Sequence, residues 1–209
     1  MIQERLKELR AQMQERGIDI YIVPTSDFHQ SEYVGEYFKA RKYMTGFTGS
    51  AGTAVITKEE AGLWTDGRYF IQAEKQLEGS TVKLFKMGEE GVPKVEEYVK
   101  DHLTEGSCIG FDGRVMDAKS GEKYAKMAEE KKAALYVKED LVGNIWKDRP
   151  QLPANKVWIL EDAYAGRSMA DKIADVRTKM QKEGADIHIL SSLYDIAWLL
   201  NCLLYTSDA

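Results

Sequence analysis

Apolar positions at the start of the chain follow two periods in succession. Ile2, Leu6, Leu9 and Met13 recur at helical spacing with Glu, Arg, Lys and Gln between them, which predicts an amphipathic helix over Ile2–Arg16. Gly17 stands where a left-handed C-cap is expected. The run IDIYIVPT, Ile18 to Thr25, is β-branched and aromatic and is closed by Pro24, which predicts a buried strand. Residues Ser26 to Gly52 are rich in Tyr, Phe, Gly and charge but weakly periodic, and read as a long structured connection with short helical turns. TAVITK and LWT, separated by a turn at KEEAG, predict a β-hairpin. Asp66 is then the expected N-cap of a helix running to Leu77.

The alternation continues. STVKLFKM predicts a strand, and Val92–Leu103 a helix with Pro93 in its first turn, where a missing amide costs least. CIGFD predicts a strand, Asp117–Lys132 a long polar helix, ALYVKED a strand and Leu141–Trp146 a short helix. Helices alternating with strands indicate an α/β fold, a mixed β-sheet flanked by helices. DRPQLPA holds two of the four prolines, so residues 149–155 read as a linker between a first domain, 1–148, and the beginning of a related second one, 156–201. There KVWIL predicts a strand, Ser168–Glu183 a helix and ADIHIL a strand. LRAQMQERGIDIYIV (Leu9–Val23) and VRTKMQKEGADIHIL (Val176–Leu190) share seven of fifteen residues. The glycine and aspartate in that match are not demanded by amphipathicity, so one helix–Gly–strand unit is expected twice. About 55 residues after the linker are too few for a second domain of the first one's size, so a truncated second domain is expected.

Charge narrows the function. The chain of 209 residues has 34 acidic and 29 basic side chains, a net of -5. Its densest basic cluster, AEEKKAA, is broken by acid, the look of a solvated helix face rather than of a nucleic-acid footprint. No apolar run approaches the roughly 20 residues that cross a bilayer. The start lacks the apolar stretch of a signal peptide. Two cysteines without a CxxC give no disulfide framework, and a cytoplasmic location is expected.

Candidate chemistry is sparse. TGFTGSAG places glycines at 46, 49 and 52, but they precede a strand rather than a helix N-terminus, which favours a tight turn over a phosphate cradle. His29 has Glu32 three residues on, yet His29, His102 and His188 are scattered and no Cys or His cluster has metal spacing. His188 falls on the predicted strand ADIHIL. Cys108 lies on a predicted buried strand, where a thiol is inert. Arg68 in WTDGRY either clamps a carboxylate or pairs with a nearby acid, and the capping role of Asp66 favours the second.

At these residues a resemblance appears. RKYMTGFTGSAGTAVIT, followed by GLWTDGRYFIQAEKQL, resembles the N-terminal region of three-domain Xaa-Pro aminopeptidases (aminopeptidase P), and DLVGNIWKDRP and SSLYDIAWLLN extend the match to about residue 201. The resemblance implies two creatinase-like N-terminal domains ahead of a catalytic domain that binds two divalent metals, usually manganese. A metal-bound water there attacks the peptide bond before a penultimate proline. None of that domain's ligands falls on a position of this sequence, so no catalytic residue and no cofactor is expected in this chain. The same resemblance implies the catalytic domain as partner, a homodimer of the longer protein, short proline-containing peptides as substrates, and no nucleic acid or membrane. It implies that the N-terminal domains serve dimerisation and substrate access. In relatives the loop matching Ser26–Gly52 approaches the catalytic cleft, so His29, Arg41, Tyr43 and Phe47 are the candidates for facing that cleft, with surface or packing duty inside the first domain the competing role for each. After Asn201 the family continues with a short aliphatic residue, Arg and Gly, so CLLYTSDA (202–209) is expected to be a non-family tail. The alternatives are a free-standing α/β peptide- or protein-binding module, and a nucleotide site on Gly46, Gly49 and Gly52.

Overall fold

The structure, a computed structural model, describes residues 1–203. The helical period at the start is realised as α1 (Ile2–Glu15), which buries Leu6, Leu9 and Met13. The next period becomes β1 (Ile20–Pro24). Its side chains alternate as a pleated strand requires. Tyr21 and Val23 enter one core with Leu6 and Met13, while Ile20 and Ile22 enter another with Val99 and Tyr124. Burial on both faces explains why β1 is continuously apolar rather than alternating.

Along the chain follow α2 (Ala40–Thr45), β2 (Thr53–Thr57), β3 (Ala61–Thr65), α3 (Phe70–Leu77), β4 (Val82–Lys86), α4 (Val95–His102), β5 (Cys108–Phe111), α5 (Ala118–Glu130), β6 (Ala134–Tyr136) and α6 (Leu141–Ile145). The six strands form one sheet in the order β4-β3-β2-β1-β5-β6. Only β2 runs against the others, paired antiparallel with both β1 and β3. Residues of α1, α2, α3 and α6 share the core of one face, and residues of α4 and α5 that of the other. The result is a mixed sheet between two helical layers, the α/β arrangement expected from the alternation of elements.

Several boundaries differ from the sequence expectation; β3, for one, begins at Ala61, inside the expected turn. The helix around Pro93 begins at Val95: Lys94 is extended, and Glu97 accepts from its amide at 2.9 Å. The Pro93 carbonyl is taken instead by Trp64 Nε1 at 2.8 Å, which pins the loop to the core. Strand β6 stops at Tyr136 because Asp140 turns into the N-cap of α6, accepting from Gly143 N at 2.8 Å. Asp66 caps a 3-10 turn, Gly67–Tyr69, ahead of α3.

Beyond these elements lie β7 (Trp158–Ile159), α7 (Asp162–Ala165), α8 (Met169–Glu183), α9 (Leu193–Leu199) and β8 (Cys202–Leu203), with β7 and β8 antiparallel. This segment is tied by polar contacts. The buried Lys172 Nζ donates to Trp198 O at 2.8 Å and to Asn201 Oδ1 at 2.6 Å. Asn201 Nδ2 donates in turn to Asp162 Oδ1 and Arg167 O. Cys202 and Leu203 of the expected tail thus belong to β8, and residues 204–209 of it lie outside the described residues.

The second copy of the repeat corrects one expectation. Its helix forms, capped by Ser168 and closed by Gly184 in the left-handed region, but ADIHIL forms no strand. Ile187 and Ile189 are 80% and 83% exposed, and His188, expected on that strand, is exposed on irregular chain. The reason is context. In the first copy Tyr21 and Ile22 have β2 on one side and β5 on the other. Among the described residues the second copy has no such neighbours, and a strand without partners leaves its backbone groups unpaired.

Amide hydrogen exchange checks this contrast. The amides of Tyr21–Val23 are expected to exchange at least about a thousandfold more slowly than those of Ile187–Ile189. Comparable protection of the two stretches would contradict it.

Candidate functional site

The long connection between β1 and β2 builds the main concavity, of about 300 Å³. Its walls are the segment 32–39, Arg41 and Lys42 of α2, the turn 48–50, and Gln151 and Pro153. A loop this long needs its own anchors, and aromatic and cationic side chains supply them. Asp27 Oδ1 accepts from the amides of His29 and Ser31 at 2.8 and 2.9 Å and turns the chain away from β1. The Phe28 and Phe38 rings meet edge to face at 4.8 Å, and Tyr37 meets Phe38 at 5.0 Å. The Arg149 guanidinium lies 3.8 Å from the centre of the Tyr37 ring, and its Nε donates to Tyr37 O at 2.8 Å. On the other side Arg149 pairs with Asp140, the cap of α6. Arg114, forked onto Asp112, covers Phe28.

At the inner wall stands Arg41. It is 3% exposed, yet no carboxylate lies within ion-pair distance among the described residues. Its Nε donates to Thr25 Oγ1 at 2.9 Å, Nη1 donates to Phe47 O at 2.6 Å, and Nη2 donates to Gly49 O. Thr25 Oγ1 passes the contact on, donating to Gly52 O at 2.7 Å. The guanidinium also sits 4.7 Å from the Phe47 ring centre. Hydrogen bonds from a charged donor contribute about 1.5–3 kcal/mol each, so three of them offset a desolvation penalty of several kcal/mol. Burial lowers the Arg41 pKa to about 10, which leaves it cationic at neutral pH. The outer wall carries more charge: Glu36 pairs with Lys39 and Lys42, and the Lys39 hydrogen bond holds its carboxyl below the usual range. Glu32 has no ion pair among the described residues.

The structure brings two of the four candidates together and separates the others. Arg41 and Phe47 are in contact, Arg41 lining the cleft and Phe47 wholly inside the core. Tyr43 faces away, stacked on Trp146 at 4.5 Å beneath Arg5, with its hydroxyl donating to Ile145 O. His29 is exposed, and among the described residues only its backbone amide is hydrogen-bonded, to Asp27 Oδ1. The rim residues Tyr33, Tyr37 and Phe38 and the closing residues Gln151 and Pro153 were not singled out from sequence. The aromatic density of DFHQSEYVGEYF is the signal that marks the first three. Nothing in the order of residues marks the last two, which come to the cleft only through the fold.

The glycine-rich turn has packing duties. A Cβ at Gly49 would lie 2.2 Å from the Phe47 ring, and one at Gly52 2.8 Å from Trp64 O, with φ at +155. The turn is fitted to Arg41 and the hairpin. Arg68 closes its fork on Asp66 at 2.8 and 2.9 Å. Burial, and then Asp19, push the Cys108 thiol up, so it is no ready nucleophile. Among the described residues no three His, Cys, Asp or Glu side chains gather as a metal site, and no helix is long and apolar enough to cross a membrane.

A model described as the creatinase/prolidase N-terminal domain matches residues 5–138, and a second so described matches 148–202. Aminopeptidase P2 of Arabidopsis thaliana is 41% identical over 206 residues, covering 96% of this chain and 29% of that protein. A probable Xaa-Pro aminopeptidase P of Pyrenophora teres f. teres is 45% identical over 202 residues, covering 94% of this chain and 30% of that protein. The solved X-prolyl aminopeptidase of Caenorhabditis elegans, described as a cytosolic enzyme with a di-nuclear active site, superposes with a TM-score of 0.89 at 33% identity. It covers 97% of this chain, which spans 34% of that one. The chain therefore spans about 30% of the length of the curated relatives it matches.

Arg41→Met keeps the aliphatic stem but leaves Phe47 O, Gly49 O and Thr25 Oγ1 without their donor. A loss of about 2–4 kcal/mol is expected, read from the urea midpoint at unchanged slope. A change below about 0.5 kcal/mol would show that the guanidinium does not hold the turn.

Proposed function

Because this chain belongs to the creatinase/prolidase N-terminal domain family, we propose that it is the N-terminal, non-catalytic portion of an Xaa-Pro aminopeptidase. The longer protein would release the first residue of peptides with proline second. In this reading residues 1–148 form the first creatinase-like domain, 149–155 a linker and 156–201 the beginning of a related domain, with 202–209 a tail. The observation that carries the reading is the 41–45% identity to aminopeptidases along nearly all of this chain, matched to under a third of theirs.

The sheet and its two helical layers supply a rigid base, and the cleft at Arg41 supplies the surface that meets peptides. The division of labour is chemical. Hydrolysis of a peptide bond needs an activated water and a stabilised oxyanion. The described residues offer neither a cluster of metal ligands nor a nucleophile paired with a base. In this reading two divalent ions, manganese by resemblance, are held by the catalytic domain of the longer protein, and no step through a metal is assigned to the residues described. The fold contributes dimer contacts and a limit on substrate length, in a homodimeric cytoplasmic enzyme.

Incubation of the chain with Arg-Pro-Pro and manganese is expected to release no arginine, whereas the longer protein is expected to release it under the same conditions. Turnover by the 209-residue chain that survives repurification, or a longer protein that leaves Arg-Pro-Pro intact, would overturn the reading.

A further inference from the structure

We propose that the cleft beside Arg41 binds the carboxyl-terminal end of a short peptide, the Arg41 guanidinium holding the terminal carboxylate and Glu32 accepting a peptide N–H. This deepens the reading of the chain as one that meets peptides, and it rests on that reading for the ligand's class.

The starting point is an incomplete charge. A guanidinium has five N–H donors, and Arg41 uses three, all on neutral oxygens. One N–H remains on each terminal nitrogen, and a carboxylate is the acceptor that a guanidinium donor binds most strongly. Buried charges are ordinarily paired, and here the described residues supply no counter-ion within 4 Å. Arg41 is among the residues that line the cleft, with about 3% of its surface exposed. A carboxylate arriving there meets a cation already desolvated and fixed by three hydrogen bonds, so little further ordering opposes binding.

The remaining charges select among anions. Glu36 is satisfied by Lys39 and Lys42, whereas Glu32, also in the lining, feels the charge of Arg68 but has no ion pair among the described residues. An inorganic anion would complete Arg41 but add its charge to that of Glu32. A peptide end carries a carboxylate and N–H donors on one molecule and so suits both groups. Between them Tyr33, Tyr37, Phe38 and Pro153 provide an apolar wall for side chains. About 300 Å³ is at the small end of ligand clefts, which fits two or three residues rather than a long polypeptide.

The test is calorimetric titration of the whole chain with Ala-Pro-Phe and with its C-terminal amide, with backbone amide shifts locating the site. The free acid is expected to bind and to shift Gly49 and Ser50. The amide is expected to bind at least about tenfold more weakly, since it cannot form the charge-assisted pair. Glu32→Gln, at an exposed position where folding is not at stake, is expected to weaken the free acid about threefold or more. Equal affinity for acid and amide, shifts confined to another surface, no binding at millimolar peptide, or indifference to Glu32→Gln would each overturn the proposal. None of these outcomes bears on turnover of Arg-Pro-Pro by the longer protein, which decides the reading on which it rests.

Discussion

The Arg41 guanidinium ties the short helix α2 to the end of β1 and to the turn that enters β2, two pieces that the β1–β2 ladder already brings side by side. Thr25 follows the end of β1, Arg41 belongs to the six-residue helix α2, and Phe47 and Gly49 belong to the turn that leads into β2. A helix of under two turns has no stability of its own. Its place is set by Met44, packed in the core, and by Arg41, whose donors bind the turn on its far side. An apolar side chain would leave Phe47 O, Gly49 O and Thr25 Oγ1 without the donor that Arg41 supplies, and a lysine lacks the planar fork that reaches all three. The charge is thus retained in spite of its desolvation, and its unused donors give the cleft its polarity.

Much of the fold was legible because the sheet is buried on both faces and the helices on one. Continuous apolar runs such as IYIV and CIGF and the 3.6-residue period of α1 are consequences of those environments. Errors fall where a tertiary contact overrides a local signal. Pro93 suits a first helical turn, but Trp64 claims its carbonyl and the helix starts later. The candidate site was legible in part. Arg41 and Phe47 lie in one contact, while Tyr43, two residues from Arg41 on the same short helix, stacks on Trp146, over a hundred positions away. Side chains two apart on a helix point in different directions, so no sequence window presents both to one cleft.

The repeat carries the plainest lesson about context. IDIYIV and ADIHIL follow the same helix–glycine grammar, yet only the first is a strand. Strand formation is a property of neighbours as much as of residues. The first copy finds β2 and β5, and the second shows isoleucines to solvent. The segment 156–203 keeps its shape by other means, a buried Lys172 among carbonyl and amide oxygens and an Asn201 with φ at +47, a conformation asparagine tolerates. Both parts of the chain therefore place a buried cation among neutral oxygens and over an aromatic ring.

The central claim, that a buried and locally capped guanidinium organises the cleft, is open to a direct measurement: exchange with solvent of the side-chain Nε–H protons of the arginines by nitrogen-15 NMR. Arg41 Nε–H, bound to Thr25 Oγ1, is predicted to exchange orders of magnitude more slowly than that of the exposed Arg177 on α8. An Arg41 proton exchanging as fast as that of Arg177 would mean that the guanidinium is not held against Thr25, Phe47 and Gly49.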